Sequence, residues 1–259
     1  MLDEEKKRIE QEGSLATAGA QRYQLLKYGL QFPVQVKASF VIVLGCYVPF
    51  SMINPLLAFK NLMEHFEVDY SLLKFEHCCG GPLLHSVVQS EEVDEVEGLC
   101  YFAEKRLAHN VEQVLDLGGK YLVAFCPVCY VLFKKLIKDA KTPEIITYGE
   151  LLNKYFSGGT YHGAVDYYEG CYRFHKKISP VSYPRGVYKK MLEQIEGLEV
   201  HALNNDICCV NKAERIVSSM SNHHLVNICT GCYFKTYAVS PRRVKFFTEL
   251  IWEAVSKQN

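Results

Sequence analysis

Phe75-Glu76-His77-Cys78-Cys79-Gly80-Gly81-Pro82 is the stretch on which the reading of this chain turns. Successive residues of a strand point to opposite faces, so two adjacent cysteines reach one object only if the strand stops and turns there. Gly80-Gly81-Pro82 supplies that turn signal. An object that accepts several thiolates is electropositive, and zinc or an iron–sulfur cluster fits the description. Taken alone, the pair reads equally as two small buried side chains.

Working outward, Tyr70 to Phe75 reads as a strand ending at the pair. Upstream of it, Phe40-Val41-Ile42-Val43-Leu44 reads as a buried strand that delivers Gly45-Cys46-Tyr47. Asn54 and Pro55 offer a helix cap and first turn, and Phe59, Leu62, Met63 and Phe66 follow at helical spacing. Downstream, Ser90 to Leu117 contains a helix and Cys100, and Tyr121 to Phe125 is a strand ending on Cys126-Pro127-Val128-Cys129. A helix from Tyr130 to Ala140, a strand from Ile145 to Tyr148 and a helix opened by Glu150-Leu151-Leu152 complete the series. Strands alternating with helices predict an α/β fold with a parallel, doubly wound sheet.

After Ser157-Gly158-Gly159 the pattern begins again. Val165 to Tyr168 is a strand delivering Gly170-Cys171-Tyr172, and Pro184 opens a helix carrying Tyr188, Met191, Leu192 and Ile195. Val200 to Leu203 is a strand running to Cys208-Cys209, followed by a short helix from Lys212 to Met220. Leu225 to Ile228 is a strand delivering Cys229-Thr230-Gly231-Cys232, and a last amphipathic helix carries Phe247, Leu250, Ile251 and Ala254 on one face. The chain is an internal duplication of Rossmann-like halves, 39–157 and 158–259, preceded by an arm, 1–38. The arm has no ligand spacing. It reads either as a solvated extension or as a docking segment for a partner, since Tyr23, Leu25, Leu26 and Tyr28 are costly to leave wet.

Duplication gives the cysteines their meaning. Each half holds one cysteine after a glycine, then a Cys-Cys pair, then Cys-x-x-Cys. Residues 47–77 separate the first cysteine from the pair in one half, a span of 31, and residues 172–207 do so in the other, a span of 36. One rule applied twice places ten of the eleven cysteines, which core-filling thiols would not do. The candidate ligands are Cys46, Cys78, Cys79, Cys126 and Cys129 in the first half, and Cys171, Cys208, Cys209, Cys229 and Cys232 in the second. All are expected at the carboxyl ends of strands, where open parallel sheets bind ligands. The Cys-x-x-Cys units also open helices, whose amino ends favour negative charge. Five thiolates per site exceed the four that zinc or a cubane cluster needs, and the surplus points to a bridging thiolate in a multi-iron cluster. Cys100 is read as a bystander. Tyr47, Tyr130, Tyr172 and Tyr233 recur beside the candidates and read as packing, with proton donation as the alternative. His77 reads as a structural histidine, or as a neighbour that tunes redox behaviour together with the donors around Gly80-Gly81.

Composition sets the outer bounds. With 259 residues, 49% hydrophobic and 22% charged, the chain reads as a globular protein with a substantial core. Twenty-nine basic residues balance twenty-nine acidic ones, so no long-range field recruits nucleic acid or an anionic membrane. Met1-Leu2-Asp3-Glu4-Glu5 carries acids where a secretory signal needs basic and then apolar residues, so a cytoplasmic location with reduced thiols is expected. Ser39 to Phe59 has no charged residue, yet Gly45, Pro49 and Asn54-Pro55 break it, and it is read as a strand, loop and helix rather than a membrane span. No Gly-x-Gly-x-x-Gly follows a strand, so a nucleotide-type cofactor site is not suggested.

On these residues the chain resembles the CCG, or cysteine-rich, domain family, whose two-copy members include the catalytic B subunits of heterodisulfide reductases. The resemblance spans roughly residues 39 to 259. Cys46, Cys78, Cys79, Cys126 and Cys129 match the first copy, with Gly80 completing Cys-Cys-Gly, and Cys171, Cys208, Cys209, Cys229 and Cys232 match the second. It implies two noncubane [4Fe-4S] clusters facing a cavity where a disulfide is cleaved or formed. It also implies partner subunits: an iron–sulfur electron-transfer subunit and a flavin subunit of a larger complex. Other members handle lipoate-bound sulfur or serve unusual succinate dehydrogenases, so an electron-transfer or quinone-linked subunit and a zinc-stabilised assembly subunit remain as alternatives. The chain departs from the pattern at Val210, which stands where the motif has glycine. The segment from the pair to Cys-x-x-Cys is 46 residues (80–125) in the first half and 19 (210–228) in the second. These departures make zinc or an altered cluster the substitute at the second site.

Overall fold

Phe40-Val41-Ile42-Val43 places four apolar side chains in a row, all buried, as a strand covered on both faces requires. The computed structural model, which describes residues 2–14, 19–90, 93–170, 179 and 181–256, makes it β1, an inner strand of a parallel sheet. β2 (Tyr70–Leu72), β3 (Tyr121–Ala124) and β4 (Glu144–Thr147) complete that sheet in the order β2-β1-β3-β4. β5 (Gly159–Tyr168), β6 (Ile195–Ala202), β7 (His224–Asn227) and β8 (Val244–Phe246) form a second sheet in the order β6-β5-β7-β8. Every pairing in both is parallel. The two orders are the same permutation, so the fold is α/β with two pseudo-symmetric halves, as the repeated cysteine pattern predicts.

Several expected boundaries move. The strand expected over Tyr70 to Phe75 ends at Leu72, and the chain then loops to the cysteine pair. Gly81-Pro82, read as part of a turn, instead begins a helix, Gly81–Ser90, with proline in the first turn where its missing N–H costs nothing. Ile195, expected on a helix, opens β6 opposite Gly159, because the helix Gly186–Leu192 is only two turns long. β8 has no counterpart in the sequence reading, since Val-Lys-Phe is too short to show alternation. The last helix, Phe247–Ser256, buries Phe247, Leu250, Ile251 and Ala254 as their spacing predicts. Ser39 to Phe59 is β1, a loop and the beginning of the helix Ile53–His65, and no described helix is long and apolar enough to cross a membrane.

The chain forms two compact units whose membership does not follow sequence order. The first comprises residues 1–51, 69–148 and 174–183, and the second 52–68, 149–173 and 184–259. In the second unit, the helix Ile53–His65 buries Leu56, Phe59, Leu62 and Met63. It is joined to the helix Phe247–Ser256 by Thr248 Oγ1 donating to the Pro55 carbonyl at 2.8 Å, and by Trp252 edge-on to His65. In the first unit the N-terminal arm is neither a solvated extension nor a free segment. Ile9 and Leu26 are fully buried, Leu72 N–H donates to the Pro33 carbonyl at 2.8 Å, and Gln35 N–H donates to the Leu72 carbonyl at 2.9 Å. The arm thereby continues the hydrogen bonding of β2.

Candidate metal centre

Cys46 and Cys126 sit just past the ends of β1 and β3, and Cys129 lies in the helix that follows Cys126. Cys78-Cys79 stand on the loop after β2 rather than at its end. Glycine makes their approach possible. β1 ends at Val43, and Gly45, at φ +92°, turns the backbone ahead of Cys46. A Cβ at Gly45 would lie 3.2 Å from the Cys126 Cβ and 3.5 Å from the Cys129 sulfur. Cys126, with φ −92° and ψ 128°, caps the helix Pro127–Leu136, whose first turn carries Cys129. Gly80, at φ +68°, takes the left-handed turn after the cysteine pair, and a Cβ on Gly81 would lie 2.5 Å from Val128 Cγ1. The sulfurs meet in a continuous series. Cys78 donates to Cys46 at 3.5 Å and contacts Cys79, Cys129 donates to Cys79 at 3.4 Å, and Cys129 is hydrogen-bonded to Cys126. The structure therefore brings Cys46, Cys78, Cys79, Cys126 and Cys129 into one group within the first unit.

Polar residues that the sequence reading passed over hold the pair's loop in place. Glu76, almost fully buried, accepts the Leu44 N–H at 2.8 Å on one carboxylate oxygen and the Gly45 N–H at 2.7 Å on the other. Arg22 of the arm, also buried, pairs with the same carboxylate and donates to the Leu73 carbonyl at 2.9 Å. Asn110 is fully buried and grips the His77 backbone at both ends, accepting its N–H and donating to its carbonyl at 2.8 Å each. The Cys78 N–H donates to the Gly13 carbonyl at 2.7 Å. These bonds explain why β2 stops early: the backbone leaves the sheet to be satisfied by side chains and by the arm. An acidic residue two positions before a ligand pair was the only available signal, and its partners lie 31 to 54 residues away in sequence.

Crowding and burial hold the thiols of this group in their protonated form. The bond to Cys46, then burial, hold the Cys78 thiol well above its ordinary value. The bonds to Cys126 and Cys79, then burial, do the same for Cys129. Donation from Cys129 pulls Cys79 down, but its contact with Cys78 and its burial outweigh that and push it up. Crowded buried thiols keep their protons unless a metal replaces them. Four sulfurs about 2.3 Å from one zinc would stand about 3.8 Å apart, whereas the sulfurs here touch at 3.4 to 3.5 Å. Among the described residues no three His, Cys, Asp or Glu side chains stand in an arrangement that would hold a metal ion as they are. The donor set itself, soft and five-fold, is compatible with a metal or an iron–sulfur group, and no disulfide links any described cysteine.

The second set repeats the arrangement. Cys208 (φ −87°, ψ 131°) caps the helix Cys209–Ser218, and Cys229 (φ −99°, ψ 127°) caps the helix Thr230–Val239. Contacts run from Cys208 to Cys209, on to Cys232, and then to Cys229. That is the order Cys78, Cys79, Cys129, Cys126 again. Cys171 and Tyr172 lie outside the described residues, but Gly170 ahead of them has φ +87°, close to that of Gly45. Tyr168 Oη donates to the Ile207 carbonyl, and Glu169 accepts from Asn205 at 3.2 Å and Arg185 at 3.3 Å, so side chains again tie the first loop to the pair's loop.

Two sequence departures acquire physical reasons. The longer first segment contains an additional helix, Val93–Asp116. Val210 stands in a helix that begins on Cys209 itself, so the left-handed turn that demands Gly80 does not occur there. Val210→Gly is accordingly expected to cost about 0.2 to 0.5 kcal/mol through helix propensity and to bring no gain in metal retention. Thermal melting and metal content of the variant check both halves of that statement, and tighter retention would mean the glycine turn was wanted.

The remaining residues divide as follows. Cys100 is half-buried beside Lys135, at 3.7 Å, and takes no part in the sulfur series. Burial, with Arg106 and His109, pushes His77 below its ordinary value and keeps it neutral. Tyr130 packs edge-on to Tyr183, and Tyr233 packs against Tyr237 and Phe246, whereas Tyr47 is 44% exposed.

Residues 40–134 match the CCG cysteine-rich domain family. No curated protein matches the chain. Among solved structures, an ABC transporter periplasmic solute-binding protein from Actinobacillus succinogenes 130z with bound D-allose is 11% identical over 81% of this chain and 77% of its own. Its TM-score is 0.23, too low for the likeness to carry weight.

Proposed function

With residues 40–134 forming a CCG cysteine-rich domain, we propose that this chain is the catalytic iron–sulfur subunit of a heterodisulfide reductase-like complex. The observation that carries the reading is the convergence of five sulfurs from the segments that follow three strands of one sheet, in a pattern the second sheet repeats. When bound, an iron–sulfur group at such sulfurs supplies electrons singly and a soft position for a substrate sulfur. The reaction is RS–SR′ + 2 e⁻ + 2 H⁺ → RSH + R′SH or its reverse, with carrier-bound sulfur such as lipoate as a related substrate. An iron–sulfur partner subunit exchanges the electrons, with a flavin subunit beyond it.

The chain's own residues supply position and environment. Cys46, Cys78, Cys79, Cys126 and Cys129 would hold one group, and Cys171, Cys208, Cys209, Cys229 and Cys232 the other. Gly45 and Gly81 let the backbone come close, and the helix opened at Cys126 turns its amino end toward negative charge. Burial of Cys78, Cys79 and Cys129 limits water. Val210 in place of the motif's glycine and the 19-residue segment 210–228 keep zinc as the second reading for that site alone.

Anaerobic purification followed by iron, sulfide and zinc analysis tests the proposal, together with paramagnetic resonance with and without added thiol. Roughly four irons per site and a spectrum that changes with thiol are expected. Zinc without iron at both sites would overturn the reading. An iron signal indifferent to thiols would replace it with plain electron transfer.

A further inference from the structure

The arm before the cysteine-rich domain contributes directly to the loops that carry the first sulfurs. The carboxylate of Glu76 bridges them: it lies on the chain leading to Cys78 and accepts the amides of Leu44 and Gly45 on the chain leading to Cys46. Such a bridge needs its charge, because a neutral amide side chain would present a donor to one of those two N–H groups. A buried carboxylate keeps its charge only if it is paired and hydrogen-bonded. Arg22 is the partner, 2% exposed, and its other terminal nitrogen is fixed by the Leu73 carbonyl. The Gly13 carbonyl takes up the Cys78 N–H, directing it away from the sulfurs. A Cβ on Gly13 would stand 3.0 Å from the Glu76 carbonyl oxygen, so the two chains lie against each other with no room to spare.

Arg22 also acts at a distance. Its carboxylate partner accepts the amides of Leu44 and Gly45, so the guanidinium stands one side chain away from the loop that carries Cys46. A guanidinium stays protonated under all working conditions, so it is a fixed positive charge behind a set of anionic sulfurs, in a region where water does little screening.

We propose that Arg22 is a positioning residue of the first sulfur site, holding the Cys46 and Cys78 loops together through Glu76 and raising the reduction potential of the group bound there. The proposal rests on the iron–sulfur reading of the site. Its chemistry is simple: added electrons are favoured by a nearby fixed cation, and the ligand loops are held in register before any metal arrives.

The test uses the full chain with Cys209→Ser to silence the second site, loaded anaerobically with iron and sulfide. Three further variants are compared: Arg22→Met, Arg22→Lys and Arg22→Met/Glu76→Gln. In Arg22→Met the chelator concentration that strips half the iron is expected to fall on the order of tenfold or more, as for other residues that orient metal ligands. The midpoint potential moves to more negative values. Arg22→Lys recovers part of both. The double variant, which removes the charges together, brings the potential back toward that of the parent while retention stays low. A merely structural arginine would weaken retention without this charge-dependent return of the potential. Unchanged retention and potential in folded Arg22→Met, verified by its melting curve, overturn the proposal. If that variant does not fold, unchanged values in both Arg22→Lys and the double variant do the same. If the parent takes up no iron, the functional reading falls on its own, and cobalt(II) retention at the same cysteines, parent against Arg22→Lys, decides the role of Arg22 separately.

Discussion

Cys78→Ser is expected to remove about half of the iron from the chain, given two equal groups of four, and to leave the signal of the second set intact. Cys78 is the link between Cys46 and Cys79 in the sulfur series, buried and bonded on both sides. Serine keeps the shape, so the melting temperature of the metal-free protein changes little, but a hard, reluctantly ionised oxygen replaces a soft thiolate. Disulfide turnover is expected to vanish with the iron. Turnover that survives the loss would assign the chemistry elsewhere, even with every cysteine where it stands. Metal analysis and paramagnetic resonance on the same preparation measure both outcomes.

Glu76→Ala has the second large effect, this time on stability. The substitution leaves the Arg22 guanidinium buried without its counter-charge and deprives the Leu44 and Gly45 amides of their acceptor. Breaking a fully buried pair from one side costs about 3 to 5 kcal/mol, against a total stability of about 5 to 15 kcal/mol for an ordinary domain. The first unit should therefore unfold at a much lower urea concentration, even without metal. The two units melt as separate transitions if they unfold independently, which makes the unaffected second transition an internal control. A loss below about 1 kcal/mol would place the pair among exposed ion pairs, against its burial.

Strand identity and the cysteine grouping were legible because both repeat. Phe40 to Val43, Tyr121 to Ala124 and Leu225 to Asn227 each carry a short apolar run into a cysteine, and the same spacing rule in both halves exposes the sites. What holds the loops was not legible. Arg22 and Glu76 look like ordinary surface charges until the fold brings them together, since nothing local distinguishes a buried ion from a solvated one. The end of β2 at Leu72 follows from the same bonds. Val210 was read as a missing glycine because a motif records residue types and not the backbone angle each one serves. β8 escaped for want of length.

The helix Ile53–His65 lies against the helix Phe247–Ser256, which comes far later in the chain. The bond from Thr248 to the Pro55 carbonyl spans 193 residues. During synthesis the earlier amphipathic helix must therefore wait, its apolar face uncovered, until the segment that carries Phe247–Ser256 has left the ribosome. A polypeptide ending at Ser157 would keep the five cysteines of the first set and still carry that orphan face. Gene duplication here did not yield two parts that can be inherited, expressed or repaired one at a time.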